Sequence, residues 1–576
     1  LRSKQAIDGS YPLYTGGTGD LSCTVKAYYA MKLAGDAVEA EHMIKARDWI
    51  LAQGGAAHAN VFTRIMLAMF EQVPWRAVPF IPVEIMLLPK WFPFHLYKVS
   101  YWSRTVMVPL FILCTYRVKA RNPLQIGVTE LFVTPAELEK NYFAHVKSPL
   151  GKAILVLDRI GLFLEPLIPG FVRRKATTMA RDWFMERLNG YDGLGAIFTA
   201  MVNAYEAMDY LGVPVNNQQR RIARAAIDNL LVIKDDMAYC QPCVSPIWDT
   251  GLSLLSLQEV DRYDHDPQCQ KAVHSALNWL ATKQLLDEPG DWQVQRPHLP
   301  GGGWAFQFNN SYYPDVDDTA VVAYAMVQSN QLGFAANIEI AGAWIAGMQS
   351  HNGGYGAFDA DNTHYYLNHI PFADHGALLD PPTVDVSARC IMLLGKLVNQ
   401  HTEYQAVIDK CIIYLRKEQE DDGSWFGRWG TNYIYGTWSV LSGLESAGVA
   451  KQDACIRRAV DWLKSKQRAD GGWGEGNLSY HDVSTRGTFE TSTAFHTAIA
   501  ILGLISAGEV NCNAVVAGVA YLLNSQQTDG TWNDHDFNAP GFPKFFYLKY
   551  HGYDKFFPLW ALARYRNQRL LGVHAK

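Results

Sequence analysis

Three carboxylates fall within four positions in the stretch Tyr312-Tyr313-Pro314-Asp315-Val316-Asp317-Asp318-Thr319-Ala320. Grouped carboxylates repel, and repulsion raises at least one pKa, so one member can keep its proton near neutral pH. Trp304, Phe306, Phe308, Tyr312 and Tyr313 precede or open the cluster. A protonated carboxyl facing an apolar, aromatic cavity is a proton donor with no water to level it. The same spacing also suits a helix start, because Asp315, Asp317 and Asp318 can cap the helix and complement its dipole. Two features favour chemistry over capping alone. One is the density of aromatics; the other is a second acidic segment, Asp380-Pro381-Pro382-Thr383-Val384-Asp385. Arg389 follows Asp385 by four residues, the helical spacing of an ion pair.

The elements that must position these groups are repeats. Each has an aromatic residue near a helix end, then Gln, then Asp-Gly-x-aromatic or a close variant. Residues 1–11 carry Gln5, Asp8, Gly9 and Tyr11; residues 49–55 keep only Gln53; residues 183–195 have Leu188 in place of Gln. Clearer copies are Trp279–Gln284–Trp292, Trp344–Gln349–Tyr355, Tyr414–Gln419–Trp425, Trp462–Gln467–Trp473 and Tyr521–Gln526–Trp532. Their spacing is irregular, about 50 to 70 residues, so each unit is more than one helix. Asp-Gly breaks the helix and turns the chain. The Gln amide is expected to bond the free N–H groups of the next helix while stacking on the aromatic ring. Between copies lie Ala- and Leu-rich stretches of helical period, such as 437–446 and 493–507. The expected fold is all-α, helix pairs stacked into closed rings, or αα-barrels.

Composition narrows the function. The chain has 576 residues, 49% hydrophobic, 12% aromatic and 19% charged, which describes a packed protein of two or more domains. A net charge of −5 gives no reason to expect a nucleic acid partner. Nine cysteines are scattered, and Cys240-Gln241-Pro242-Cys243 has no second ligand pair nearby, so no metal is expected. Reduced thiols fit a cytoplasmic setting. The chain begins at Leu1, inside what reads as a helix end, as a fragment or processed chain would, and no signal peptide is visible.

Residues 73–169 differ in texture. Residues 78–89 and 106–113 are apolar but interrupted by proline, and 154–169 is apolar with charges inside. None is long enough to span a bilayer uninterrupted. Arg173, Arg174 and Lys175 follow, which suits anionic headgroups. The expectation is a segment dipping into one leaflet; a helix packed between domains would have similar apolarity.

Together the repeat and the acidic stretch resemble the squalene–hopene cyclases, class II triterpene cyclases of bacteria. The repeat looks like that family's QW motif. Asp315-Val316-Asp317-Asp318-Thr319-Ala320 matches its D-x-D-D-T-A signature in full. Trp304-Ala305-Phe306-Gln307-Phe308, Ser245-Pro246-Ile247-Trp248-Asp249-Thr250-Gly251, Phe426-Gly427-Arg428-Trp429-Gly430 and Gly541-Phe542-Pro543 match as well. The resemblance covers essentially the whole chain, less an N-terminal piece. It implies two αα-barrel domains: an inserted, membrane-associating one over 1–230, its N-terminus incomplete, and a catalytic one over 231–576. It also implies a homodimer bound monotopically to the cytoplasmic face of a bacterial membrane, with no cofactor.

The implied reaction is protonation of a terminal alkene of squalene, then ring closures through carbocations to hopene or its alcohol. Free Asp, with a pKa of about 3.9, is not acidic enough, so its conjugate base must be stabilised at the instant of transfer. The resemblance makes Asp317 the donor, with Asp315 and Asp318 holding its orientation and charge state, and Asp380 and Asp385 in support. Some relatives carry His at the position of Arg389. A guanidinium stays charged and offers a fork of donors to Asp317 or, at its helical spacing, to Asp385. Cations need an electron-rich lining that is not nucleophilic, and aromatic faces provide it. The residues implied are Trp248, Phe306, Tyr313, Phe372, Trp429, Tyr435, Phe542, Phe546, Tyr550, Tyr553 and Trp102, with Ile197 and Phe198 at the far end. Phe358 and His375 stand where relatives have Tyr and Phe, so product control could differ.

Other readings make different demands. An αα-barrel glycoside hydrolase also pairs carboxylates with aromatic platforms, but it needs many hydrogen-bonding groups among them. A prenyltransferase-type subunit needs zinc ligands, and a helical scaffold has no use for Asp317. Another class II terpene cyclase would keep the acid, and one acting on a diterpene diphosphate would add a cationic pocket.

Overall fold

The computed structural model describes residues 1–574. They form two compact units. The first comprises Leu1–Asn229 with His364–Leu379 and Lys544–Tyr547; the second comprises Leu230–Thr363, Asp380–Pro543 and the chain from Leu548 onward. Two short segments that a single boundary at 230 would assign to the second unit therefore fold with the first.

The first unit contains α1 (Leu21–Leu33), α2 (Glu41–Ala52), α3 (Val61–Met69), α4 (Tyr101–Thr115), α5 (Pro149–Leu164), α6 (Gly170–Glu186), α7 (Phe198–Tyr210) and α8 (Gln218–Asp228). Its core helix is α4, which is apolar nearly all round and buried along all but one residue of its length, against α6 and α7. A helix with no polar face has to be surrounded. Ser100 caps it, its Oγ accepting the Ser103 N–H. By contrast α5 starts cleanly, with Ser148 as its cap and Pro149 in its first turn, but buries only Gly151 completely. Among the described residues, no helix is long and apolar enough to cross a membrane.

The second unit starts with a small hairpin, β1 (Leu231–Ile233) and β2 (Ala238–Cys240), with Val232 opposite Tyr239. Eleven helices follow among the described residues: α9 (Pro246–Asp264), α10 (Pro267–Ala281), α11 (Val316–Gln328), α12 (Ala335–Gly347), α13 (Val384–Leu397), α14 (Tyr404–Lys417), α15 (Tyr433–Ser446), α16 (Ala454–Ser465), α17 (Ala494–Ser506), α18 (Asn513–Ser525) and α19 (Tyr553–His574). The odd-numbered helices pack each against the next, and α19 returns to α9, so the six form a closed inner ring. The even-numbered ones lie outside it. Sequence sorts the two layers. Every residue of α17 is buried, whereas α16 buries a stripe at Cys455, Ile456, Ala459, Val460, Trp462 and Leu463.

The repeats are the joints of this ring. The Gln349 amide donates to Gly353 O (2.9 Å) and to Val407 O in the first turn of α14 (2.8 Å). Gln419 does the same to Gly423 and Cys455, and Gln467 to Gly471 and Ala514. The sequence reading expected these glutamines to meet free N–H groups. Instead their NH₂ groups supply donors to carbonyls, because the turn glycine and the first turn of the next outer helix each aim one oxygen at that point. The turn glycine is obligatory: Gly423 has φ +97°, and a Cβ there would lie 2.7 Å from Arg458 O. Neighbouring repeats are tied in turn, Trp462 Nε1 donating to Asp422 Oδ2 at 3.0 Å.

Gln467→Leu keeps the side chain's bulk but leaves the Gly471 and Ala514 carbonyls without their donor. Stability should fall by about 1–3 kcal/mol. An unchanged urea midpoint with an unchanged slope would show that water satisfies both carbonyls and that the glutamine is not a joint.

Candidate functional site

The acid stretch enters α11 at its first turn. Asp315 is the N-cap, its Oδ1 accepting the N–H groups of Asp317 (2.7 Å) and Asp318 (3.2 Å). One of the three candidate acids, Asp315, is therefore also the helix cap. The start of the helix is held on three sides. Asp315 N donates to Trp304 O (2.7 Å), Val316 N to Ala357 O (2.7 Å), and Thr319 Oγ receives Trp304 N (2.9 Å). Trp304 is itself pinned through Nε1 to Leu280 O. Trp304, rather than the Trp292 expected from the sequence, thus closes the repeat of Gln284, whose amide donates to Gly302 O (2.8 Å), and it fixes where the next inner helix begins, and with it Asp317.

All three carboxyls are buried. Burial, then the charges of their neighbours, holds the carboxyls of Asp315 and Asp318 well above the usual range. Burial also raises Asp317, but there the Arg389 guanidinium opposes it. Arg389 grips Asp317 with two nitrogens: Nη2 lies 2.6 Å from Oδ2, and Nε donates to Oδ1. Its third nitrogen, Nη1, donates to Ser439 Oγ (3.0 Å), and Ser439 Oγ donates to Tyr435 O. Burial works against the arginine's charge, yet Asp317, Tyr435 and Asp385 outweigh it and keep the guanidinium ionised.

Of the two partners open to Arg389, it takes Asp317 on the neighbouring inner helix α11 and not Asp385 at helical spacing on its own helix. Asp385 is taken up elsewhere. Its Oδ2 accepts the backbone N–H groups of Arg428 (2.9 Å) and Trp429 (2.8 Å), so it anchors the Phe426–Gly430 turn and acts on Arg389 only by its field. Asp380 is likewise a backbone anchor, accepting from Ala357, Phe358 and Asp359 at 2.7–3.0 Å. Burial, with the Asp359 charge, pushes it up to about 7 against those three donors.

Aromatic faces surround the pair in this unit. The guanidinium of Arg389 lies 5.4 Å from the Trp248 ring and 5.3 Å from that of Tyr435. Trp248 Nε1 donates to Tyr553 OH (2.9 Å), and Tyr553 stacks on Tyr550 with centroids 4.6 Å apart. Phe306, Trp429 and Phe542 are half-buried. Tyr313 is buried, with its hydroxyl on Asp291 Oδ2. The remaining residues implied for the lining belong to the first unit. Trp102 is buried on α4, with Nε1 on Ala377 O. Phe372 packs edge-on to Phe62, and His375 stacks on that same ring. Phe546, Ile197 and Phe198 are half-buried. Burial drives His375 down to about 4, so it is neutral. Ser439 escaped the sequence reading, since one serine in a buried helix carries no signal until Arg389 is seen to reach it.

Comparison with known proteins identifies a family. The N-terminal domain model of squalene–hopene cyclase matches residues 1–236, and the C-terminal domain model matches 244–567. The chain is 50% identical to the squalene–hopene cyclase of Bradyrhizobium diazoefficiens, over 99% of this chain and 86% of that protein. It is 49% identical to that of Zymomonas mobilis, over 98% and 87%. Among solved structures, the ent-copalyl diphosphate synthase of Streptomyces platensis covers 98% of the chain and 90% of its own, at 16% identity and a TM-score of 0.50, which is a likeness of fold. With both domain models matched and near-half identity over almost its full length, the chain belongs to the squalene–hopene cyclase family.

Proposed function

We propose that this chain cyclises squalene to hopene and its alcohol, with Asp317 as the proton donor. The observation that carries the reading is the two-point grip of Arg389 on Asp317 in a buried site. An alkene is a very weak base, so the donor must be a strong acid at the moment of transfer. The planar guanidinium occupies the facing side of both oxygens, which leaves the acidic proton on the outer side of the carboxyl. When that proton moves to a terminal alkene carbon, the new carboxylate is already paired with a fixed cation, and no reorganisation is needed. Burial and mutual repulsion disfavour charge on Asp315 and Asp318, which limits their competition for that cation.

The growing carbocation then needs faces that stabilise charge without trapping it. Trp248, Tyr435, Tyr550 and Tyr553, with Phe306, Trp429 and Phe542, supply them around the acid, each worth about 0.5–2 kcal/mol. On the same reading Trp102, Phe372, Phe546, Ile197 and Phe198 serve later stages, and Tyr313, Asp380 and Asp385 support the frame. Aromatic faces predominate around the acid, whereas a sugar site would set many hydrogen-bonding groups among them, which disfavours glycoside hydrolysis.

Substrate so apolar is delivered from a membrane. The outer face of α5 presents Val156, Ile160 and Phe163, the last 80% exposed, and Leu167 and Phe171 continue the patch. Arg174 and Lys175 follow for anionic headgroups. This reading makes the protein a homodimer held on the cytoplasmic face of a bacterial membrane through that patch.

Three outcomes are expected. Asp317→Asn should fold and yield no cyclised product, because an amide has no acidic proton; turnover of squalene by the folded variant would remove Asp317 from the role. At position 389, Lys should retain part of the activity, while Gln should lose about 10²–10³ in rate. Arg389→His should be active only while its imidazole is protonated, so its rate should fall as pH rises through that pKa. A full rate in Arg389→Gln would show that the guanidinium only braces the helix. Finally, the wild type should float with anionic liposomes, and a Phe163→Asp, Leu167→Asp variant should stay behind. Equal flotation of the two would place the membrane contact elsewhere.

A further inference from the structure

Each turnover takes one proton from Asp317, and a proton has to come back from solvent. The groups nearest Asp317 are poorly placed to return it. Arg389 keeps its proton at any working pH. Asp315 is committed to the N–H groups of α11, and Tyr435, whose ring faces the guanidinium, is wholly buried. Asp318 differs. It is 1% exposed, yet its Oδ1 has no hydrogen-bond partner among the described residues. A buried oxygen without a donor is costly, so its retention calls for a use.

A second oxygen of this kind stands on the neighbouring inner helix. Asp249, in the first turn of α9, spends Oδ2 on Ser245 Oγ (2.7 Å), while its Oδ1 is buried and has no partner among the described residues. Helices α9 and α11 run side by side. A Cβ on Gly251 would meet Val321 Cγ1 at 2.9 Å, and Gln258 Nε2 donates to Ala325 O (2.8 Å). Less than one turn back from the first of these contacts, Asp249 and Asp318 stand at the same level of the ring.

The Tyr550 hydroxyl belongs to the same group. The Tyr550 backbone is pinned to Asn538, its N–H on Oδ1 (2.8 Å) and its carbonyl on Nδ2 (3.0 Å), and its ring lies on Tyr553. Burial, then the charges of Cys243, Asp249 and Asp318, holds this hydroxyl well above its usual range. Burial also raises Asp249, opposed by Ser245 and by His551. Cys243, pushed up to about 12 by burial, stays a thiol. His551, the residue after Tyr550, is exposed. These groups lead from the acid to the surface within the second unit.

We propose that Asp318, Tyr550, Asp249 and His551 form the path by which a solvent proton recharges Asp317 after each turnover. Asp318 gives its proton to the Asp317 carboxylate. The Tyr550 hydroxyl passes its proton to Asp318 as it accepts one from Asp249. The His551 imidazolium restores Asp249 and is itself restored by water. One proton enters for each that the alkene takes, the last cation releases one to water, and no electron moves. Asp249 and His551 touch no substrate and act through Asp318. The path rests on the role proposed above for Asp317.

The test compares the first turnover of squalene with later ones, using the full chain in liposomes. Asp249→Asn begins with Asp317 protonated, so its first turnover should match the wild type. Later turnovers should slow by about tenfold or more, with a solvent deuterium isotope effect confined to that phase. Asp249→Glu should restore them. His551→Ala should show the same burst, and added imidazole should abolish it, because this position is open to solvent. Imidazole should not help Asp249→Asn. Equal first and later rates in either variant overturn the path, as does a His551→Ala burst that imidazole leaves unchanged. Loss of the first turnover in folded Asp249→Asn also overturns it, since Asp249 would then be needed by the acid itself. A wild type that cyclises no squalene even in its first turnover overturns the proposed function instead.

Discussion

A bidentate ion pair buried in an aromatic interior is the constraint from which the second unit follows. Removing two charges from water costs several kcal/mol for each, and the loss is recovered only if geometry is fixed and the remaining donors are engaged. Here Asp317 and Arg389 stand on neighbouring inner helices, α11 and α13, and Ser439 on α15 takes the arginine's third nitrogen. Three consecutive staves of the ring thus meet at one guanidinium. Any slip of a helix along its axis would leave a charge unpaired, so the ring's register and the acid's strength are the same requirement.

The closed ring was legible because its joints are chemical. A recurring Gln, a turn glycine and a closing aromatic announce the helix pairs. The acid stretch was legible for a similar reason, since carboxylates cannot be crowded without consequence. The partner of Arg389 was harder to read. Spacing within one helix offers Asp385 as readily as anything else, and only the packing of α13 on α11 turns the side chain toward Asp317. The direction of the glutamine bonds was hidden too: an amide can donate or accept, and the choice depends on two carbonyls from distant segments. The short segments His364–Leu379 and Lys544–Tyr547 fold with the first unit without any change in composition to mark them. They carry Phe372, His375 and Phe546, so their placement matters more than their length.

Two acidic residues show how position decides role. Asp380 and Asp385 look in sequence like further acids, but both spend their oxygens on backbone N–H groups. They hold the turns at 356–359 and 426–430, which carry Phe358 and Trp429 toward the interior. A carboxylate committed to two or three backbone donors is a structural member, and the charge of Asp385 still acts at a distance on Arg389.

The closure of α19 upon α9 carries a consequence for how the protein is made. Trp248 and Tyr553, joined by a hydrogen bond, are 305 residues apart in the chain. A ring whose first and last staves must meet cannot be completed until α19 has been made. Until then the inner helices, apolar on nearly every side, are exposed along an open arc. Contacts of such long range form slowly. Nascent chains are therefore candidates for chaperone protection over this interval, and a chain truncated before α19 would remain an open arc prone to aggregation.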